Sequence, residues 1–402
     1  MYALLLAIIY LAFVSLGLPD SLVGAGWPAM HQDLDVPTSY AGLVTMVITG
    51  GTIVSSLLSE KLTRKLGTGM VTAISVGMTA AALVGFSTSS AFWMLLLWAI
   101  PYGLGAGAVD AGLNNYVALH YSSRHMSWLH GCWGIGASIS PFIMGYSLSQ
   151  GHGWSAGYLL VGAIQAVLTF FLLLGIPLWN KVNPVARSGV GEHEVSSETE
   201  SPLSAVTTLG ALRLPGVKLM LTAFFGYCAM ETTFILWSST YLVAERDFAT
   251  ATAATFASMY LIGMTVGRFL SGVVADKWGD RRMITAGMAV VVLGVVLIAV
   301  PVGGAAMPLV GLILAGLGSA PVYPAIIHST PTNFGASHSH VVIGIQMAAA
   351  YLGSSLMPPL FGLITAGTGL WIFPLYLMLL AALVLVMSQA LNRSVDRRLA
   401  GQ

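Results

Sequence analysis

Runs of about 20 apolar residues, the length that crosses the hydrocarbon core of a bilayer, recur twelve times along the chain. They fall near 3–30, 40–60, 70–88, 91–119, 127–149, 155–179, 216–243, 251–275, 284–302, 305–328, 341–366 and 370–390. The pattern predicts an all-α membrane protein with twelve transmembrane helices. The first run has neither a basic n-region nor a small-residue cleavage site, so it is expected to remain as an uncleaved span. Between the sixth and seventh spans the apolar pattern stops. Residues 181–215 carry Glu192, His193, Glu194, Ser196, Ser197, Glu198, Glu200 and Ser201, with prolines at both ends, and read as a polar, mobile linker. Three parts are therefore expected: a six-helix bundle over 1–180, a cytoplasmic linker over 181–215 and a second six-helix bundle over 216–402.

The two halves repeat one another. Gly103-Leu-Gly-Ala-Gly-Ala-Val-Asp110 in the fourth span matches Gly316-Leu-Gly-Ser-Ala-Pro-Val-Tyr323 in the tenth, 213 residues later. Arg64-Lys65-Leu66-Gly67 after the second span matches Asp276-Lys277-Trp278-Gly279 after the eighth, at an offset of 212. Near-identical offsets point to duplicated, pseudo-symmetric six-helix units. Parallel repeats of this kind organise secondary transporters whose solute site lies near the membrane midplane.

Composition narrows the class. Of 402 residues, 56% are hydrophobic and only 8% charged, against about 25% charged in ordinary soluble domains. A soluble globule is excluded, and the lipid bilayer is an obligatory partner. All 16 basic residues except Arg246 and Arg268 fall in loops or ends that share one side if both termini are cytoplasmic. By the positive-inside rule this predicts a multi-pass protein of the cell (inner) membrane with both termini in the cytoplasm. A net charge of +1 points to no polyanionic partner, and nucleic acid is not expected. Cys132 and Cys228 lie in apolar runs without a CxxC or Cys/His cluster, which reads as core packing. His328, His338 and His340 flank the loop between the tenth and eleventh spans and are expected on the cytoplasmic side; no metal site is expected. Phosphate-binding loops, nucleophile elbows and metalloprotease motifs do not occur in the chain, so neither an enzyme nor a cofactor is expected.

Polar residues inside the spans carry the candidate chemistry. An ionised group near the bilayer centre costs about 2.5–3.5 kcal/mol even on insertion scales, so such groups face a bundle interior and mark solute or proton paths. Gly103, Gly107, Asp110 and Asn114 fall on one helical face, where small residues admit a neighbouring helix and the polar groups look inward. Asp20, after Pro19, sits where a proline bend widens a cavity. A carboxyl that alternates between wet and dry surroundings takes up a proton in one and releases it in the other, and Asp20 and Asp110 are the candidate proton-coupling groups. Asn114, Asn115 and Gln346 offer amides to hydroxyls. His130, on a close-packing face with Gly134, Ala137 and Pro141, can donate, accept or titrate. Trp133 and Trp237 offer flat surfaces for stacking. Glu231 shares a face with Tyr227 and Ser238. Arg268 is the one basic residue that pairs with it in principle, although its register places it toward the cytoplasm.

Gly267-Arg-Phe-Leu-Ser-Gly272-Val-Val-Ala-Asp276-Lys277-Trp-Gly279-Asp280-Arg281-Arg282 resembles the loop 8/9 signature of the major facilitator superfamily, and Arg64-Lys65-Leu66-Gly67 resembles a degenerate loop 2/3 copy without the aspartate. The resemblance implies gating by Arg64, Lys65, Asp276, Lys277 and Arg281, with Asp276 pairing to a nearby cation at a rim that opens and closes. Within that superfamily, Leu18-Pro19-Asp20-Ser21, Asp110 with Asn114, Leu129-His130-Gly131-Cys132-Trp133 and Gly226-Tyr227-Cys-Ala-Met-Glu231 resemble the fucose permease branch of proton-coupled sugar symporters. The chain departs from that branch in having Asp110 for the usual glutamate, and His130 and Trp133 for amides. The function implied is alternating-access symport of a small polar solute, a sugar or sugar-like compound, with protons, by a monomer. The substrate contacts expected are Asn114, Asn115, His130, Trp133, Tyr227, Glu231, Trp237, Tyr323 and Gln346. The alternatives are proton-coupled efflux of amphipathic compounds, favoured by the missing amides, and a membrane receptor that transports nothing.

Overall fold

In a computed structural model of the chain, the described residues are 2–37, 40–182, 208–248, 250–301 and 304–400. Most of the expected linker, 183–207, lies outside them. Among the described residues there is no strand. The first half holds α1 (Tyr2–Asp20), α2 (Leu22–Asp33), α3 (Ala41–Leu66), α4 (Thr68–Ser87), α5 (Phe92–His120), α6 (Ser123–Ser149) and α7 (Gly153–Val182). A single turn, α8 (Thr208–Ala211), precedes the second half. There follow α9 (Val217–Arg246), α10 (Thr250–Trp278), α11 (Asp280–Ala299), α12 (Ala306–Ser319), α13 (Val322–His328), α14 (Thr330–Phe334), α15 (Ala336–Thr368) and α16 (Phe373–Ala400).

Eleven stretches among the described residues are long and apolar enough to cross a membrane. The remaining expected span is α6, which at 27 residues is long enough but carries Arg124, His125, Ser127, His130, Ser138 and Ser140. Its polar residues are concentrated in its first turns, where Ser127 and His130 are buried against protein. On other helices large apolar side chains point outward, Leu363 at 75% and Phe170 at 58% exposure, as expected where the surrounding solvent is itself hydrocarbon.

Two expected spans are broken. The first is interrupted at Ser21, directly after Pro19 and Asp20, and the tenth at Ala320-Pro321. Proline withholds an N–H from the helix and crowds the preceding turn, which makes it a natural breakpoint in both.

The repeat legible in the sequence is built into the packing. A Cβ on Gly103 of α5 would lie 2.2 Å from the Ile48 carbonyl oxygen of α3, and one on Gly316 of α12 would lie 2.1 Å from the Tyr260 carbonyl oxygen of α10. Ile48 and Tyr260 are themselves 212 residues apart. Only glycine permits so close a backbone approach. The loops agree as well: Gly67 closes α3 at φ 80° and ψ 152°, Gly279 closes α10 at φ 74° and ψ 156°, and each amide bonds a carbonyl four residues back.

The chain forms two compact units. One comprises Met1–Tyr116, Cys132–Ala211 and Ala336–Gly344; the other comprises Val117–Gly131, Leu212–Gly335 and Ile345–Gln402. The connection between α5 and α6, although it belongs to the first half of the sequence, packs with the second unit. The first turns of α15 pack with the first.

Candidate functional site

Within the first unit the site is built around Asp20. Gly17 brings α1 against α6, since a Cβ there would stand 2.1 Å from the Trp133 carbonyl oxygen, and Gly136 reciprocates against the Val14 carbonyl. That contact places Trp133 beside the end of α1, where its indole N–H donates to Asp20 Oδ2 at 2.8 Å. From α5, the Tyr102 hydroxyl donates to Oδ1 at 3.3 Å. Three helices thus converge on one carboxylate, which still remains exposed. Behind it lies a small cavity lined by Ser15, Pro19, Thr79 and Tyr102. Trp133 therefore serves as a hydrogen-bond donor to Asp20 here; the sequence reading expected a stacking surface for solute.

Asp110, further along α5, accepts from Asn114 Nδ2 at 2.8 Å, a bond between neighbouring turns of one helical face. Asn114 is fully buried, and Asn115 accepts a 2.7 Å bond from Ser339 at the start of α15. The small-residue face of α5 meets α3: a Cβ on Gly107 would come within 2.1 Å of the Thr52 carbonyl oxygen, and Ser59 Oγ donates to the Ala108 carbonyl at 2.9 Å.

Within the second unit the structure gathers Glu231, Arg268, His130, Tyr227 and Tyr323. Arg268 Nη2 stands 3.5 Å from Glu231 Oε1, and Nη1 donates to the His130 carbonyl at 3.3 Å. Arg268 is only 3% exposed, so the expectation that it lies near the cytoplasmic end is corrected. It sits ten residues before the end of α10, about 15 Å along the axis at 1.5 Å per residue, and that depth brings it level with Glu231. The His130 ring meets Tyr323 edge-on at 4.6 Å, and Phe224 lies 4.7 Å from Tyr323. Tyr227 donates to the Ser319 carbonyl at 2.9 Å. Trp237 lies apart from this group: its N–H donates to the Pro358 carbonyl at 3.0 Å and its ring packs on Phe361. Gln346 is also apart, fully buried and accepting from Thr330 at 2.9 Å.

The expected gating residues divide. Asp276 accepts from Ser122 Oγ at 3.1 Å and from the Arg124 backbone N–H at 3.0 Å, and pairs with Arg124 Nε at 3.2 Å. Arg281 pairs with Asp396 at 2.7 Å. Arg64, at the position matching Asp276, pairs along its own helix with Glu60, while Lys65 and Lys277 are exposed. Next to Asp276 the sequence reading missed a partner. Asp280 accepts from Ser123 Oγ at 2.7 Å and faces His328 Nδ1 at 2.7 Å, while His328 Nε2 faces the Tyr121 carbonyl at 3.1 Å. Another missed residue is Gln165 of α7, which bonds Ser15 through both amide atoms. The available signal was a proline in a span, which orphans the carbonyl four residues earlier, and a lone amide deep in a neighbouring span. Groups of three or more metal-ligating side chains do not occur among the described residues.

A multi-pass helical protein with duplicated halves, carboxylates set inside its spans and a buried ion pair belongs to the class of polytopic membrane proteins whose interior polar groups face one another. The family model described as Major Facilitator Superfamily matches residues 9–358 and also 219–398. The chain belongs to the Major Facilitator Superfamily, whose members are transporters and not enzymes. It is 25% identical over 282 residues to Bypass of stop codon protein 6 of Saccharomyces cerevisiae, covering 67% of this chain and 56% of that one. The match therefore spans about half the length of that relative. A hexuronate transporter of Bacillus subtilis is 22% identical over 289 residues, 69% of this chain and 66% of its own. The fold is that of the Escherichia coli fucose:proton symporter FucP, with a TM-score of 0.72 at 16% identity over 97% of this chain and 99% of that one.

Proposed function

We propose that the chain carries a small polar solute, a sugar or sugar acid, across the membrane in symport with protons by alternating access, with Asp20 as the principal proton carrier and Asp110 as its companion. The single observation that carries the reading is the setting of Asp20: an accessible carboxylate at a break in an apolar span, held by Trp133 and Tyr102 from two other helices. Such a group is costly in a membrane unless it works. Neutralising it weakens its bonds to two donors, so proton uptake at Asp20 loosens the contact among α1, α5 and α6, and proton release restores it. The driving force is about 2.3 kcal/mol per charge moved through 100 mV. The FucP fold and the hexuronate relative support a sugar-class solute. Arg268 and Glu231 supply a buried cation and anion suited to a solute with hydroxyls and a carboxylate, beside His130, Tyr227 and Tyr323. Asp276 with Arg124 is the latch on the face expected to be cytoplasmic, where both termini also belong.

Proteoliposomes enclosing a pH-sensitive dye, challenged with L-fucose, D-xylose or D-glucuronate, test the reading. The wild type is expected to acidify its lumen with one of them, and Asp20→Asn and Asp110→Asn to abolish uphill accumulation while keeping solute exchange. Uphill accumulation by Asp20→Asn would remove that residue from the coupling step.

A further inference from the structure

Pro19 has no N–H, so the carbonyl of Ser15 loses the hydrogen bond an unbroken α-helix would give it. In an apolar interior that orphan is costly. Gln165 of α7 meets it: Nε2 donates to the Ser15 carbonyl, and Oε1 accepts from Ser15 Oγ at 2.7 Å. Ser15 and Gln165 are each 1% exposed, so water does not compete for these bonds. One turn on, Thr169 Oγ1 donates to the Gln165 main-chain carbonyl at 2.8 Å. A primary amide is the side chain that places a donor beside an acceptor, as the carbonyl and hydroxyl of one residue require. The orphan lies one turn before Asp20, so the way it is satisfied sets the last turn of α1 and the direction in which Asp20 leaves it. A small cavity lined by Ser15, Pro19, Asp20 and Tyr102 lies beside that turn.

We propose that Gln165 is a positioning residue for Asp20: it replaces the backbone donor that Pro19 lacks, and so holds the carboxylate in reach of Trp133 and Tyr102. This deepens the reading of Asp20 as the proton carrier and rests on it for its functional meaning.

The test needs no solute. Thermal unfolding of the purified full chain is followed against pH for the wild type, Gln165→Leu, Gln165→Glu, Pro19→Ala and the double variant Pro19→Ala/Gln165→Leu, each with and without Asp20→Asn. The part of the pH profile that Asp20→Asn removes belongs to Asp20. In Gln165→Leu its midpoint is expected to move by about one pH unit or more, the scale on which losing a hydrogen-bonding environment moves a carboxyl. The double variant is expected to return to the wild-type profile, because alanine at 19 restores the N–H. Gln165→Glu is expected to behave like the wild type at acid pH, where a neutral carboxyl still donates to the Ser15 carbonyl, and like Gln165→Leu at alkaline pH, where it cannot. If Gln165→Leu does not fold, Gln165→Glu carries the test alone. A Gln165→Leu profile that superimposes on the wild type, a double variant that is not rescued, or a Gln165→Glu profile without pH dependence of its own would overturn the proposal. The two readings fail separately, since uphill transport by Asp20→Asn removes the proton carrier and leaves these profiles unaffected.

Discussion

Charged side chains inside the spans divide into those that stay accessible and those sealed by a partner. Asp20 belongs to the first kind, while Arg268 with Glu231 belongs to the second, at 3% and 13% side-chain exposure. Removing one member of a buried pair leaves the other uncompensated, at about 3–5 kcal/mol, whereas replacing both with neutral residues is far milder. Glu231→Gln is therefore expected to lower the unfolding temperature more than the double variant Glu231→Gln/Arg268→Met, measured in the same detergent; a double variant less stable than the single would show that the pair contributes little through its charges. At this scale the sequence was partly legible. Polar residues in apolar runs singled out Asp20, Asp110, Asn114 and Glu231, and helical spacing put Asp110 and Asn114 on one face. It did not reveal that Trp133 donates to Asp20, because that contact depends on how closely Gly17 lets α1 approach α6. Nor did it find Trp237 bonded to a backbone carbonyl of α15, since a tryptophan in a span reads alike whether it faces solute or core.

Helices in this fold meet through glycine where backbone touches backbone. Gly107 against Thr52 and Gly316 against Tyr260 leave no room for a side chain, and dispersion between closely packed helices is a main source of association in lipid. Gly107→Val and Gly316→Val are each expected to cost several kcal/mol, seen as loss of the folded, monodisperse species on size exclusion. Gly145→Ala, whose added methyl meets nothing within 4 Å, is the control expected to be unchanged. Element positions were the most legible level, since apolar runs and loop glycines mark both ends of most helices. The breaks at Ser21 and Ala320-Pro321 were less so, because proline in a span permits either a bend or a full interruption, and the neighbours that satisfy the freed carbonyls decide between them. The polarity of α6 has a similar origin: its first turns pack on α10, with Trp128 donating to the Phe269 carbonyl and a Cβ on Gly272 meeting the Trp128 ring.

Across the whole molecule, sequence repeat and compact units follow different boundaries, for residues 117–131 join the second unit and 336–344 the first. Periodicity reports which residues form a helix, and it is silent about which neighbour the end of that helix will grip. The grip on Val117–Gly131 includes His328, whose two ring nitrogens face only acceptors, the Asp280 carboxylate and the Tyr121 carbonyl. Both bonds are made only when both nitrogens carry protons. Asp276, with Arg124 against it, is the other charged group nearby. The stability advantage of the wild type over His328→Gln is therefore expected to be greatest at acid pH and to shrink as pH rises; an advantage constant with pH would assign the histidine a packing role alone. The duplicated loop after α3 shares the positive-φ glycine of its twin but has Arg64 where the twin has Asp276, and Arg64 pairs with Glu60 of the same helix. The turn after α10 thus carries a cross-helix pair, Asp276 with Arg124, that its repeat after α3 does not reproduce, so substituting Asp276 removes a contact for which the first half supplies no equivalent among the described residues.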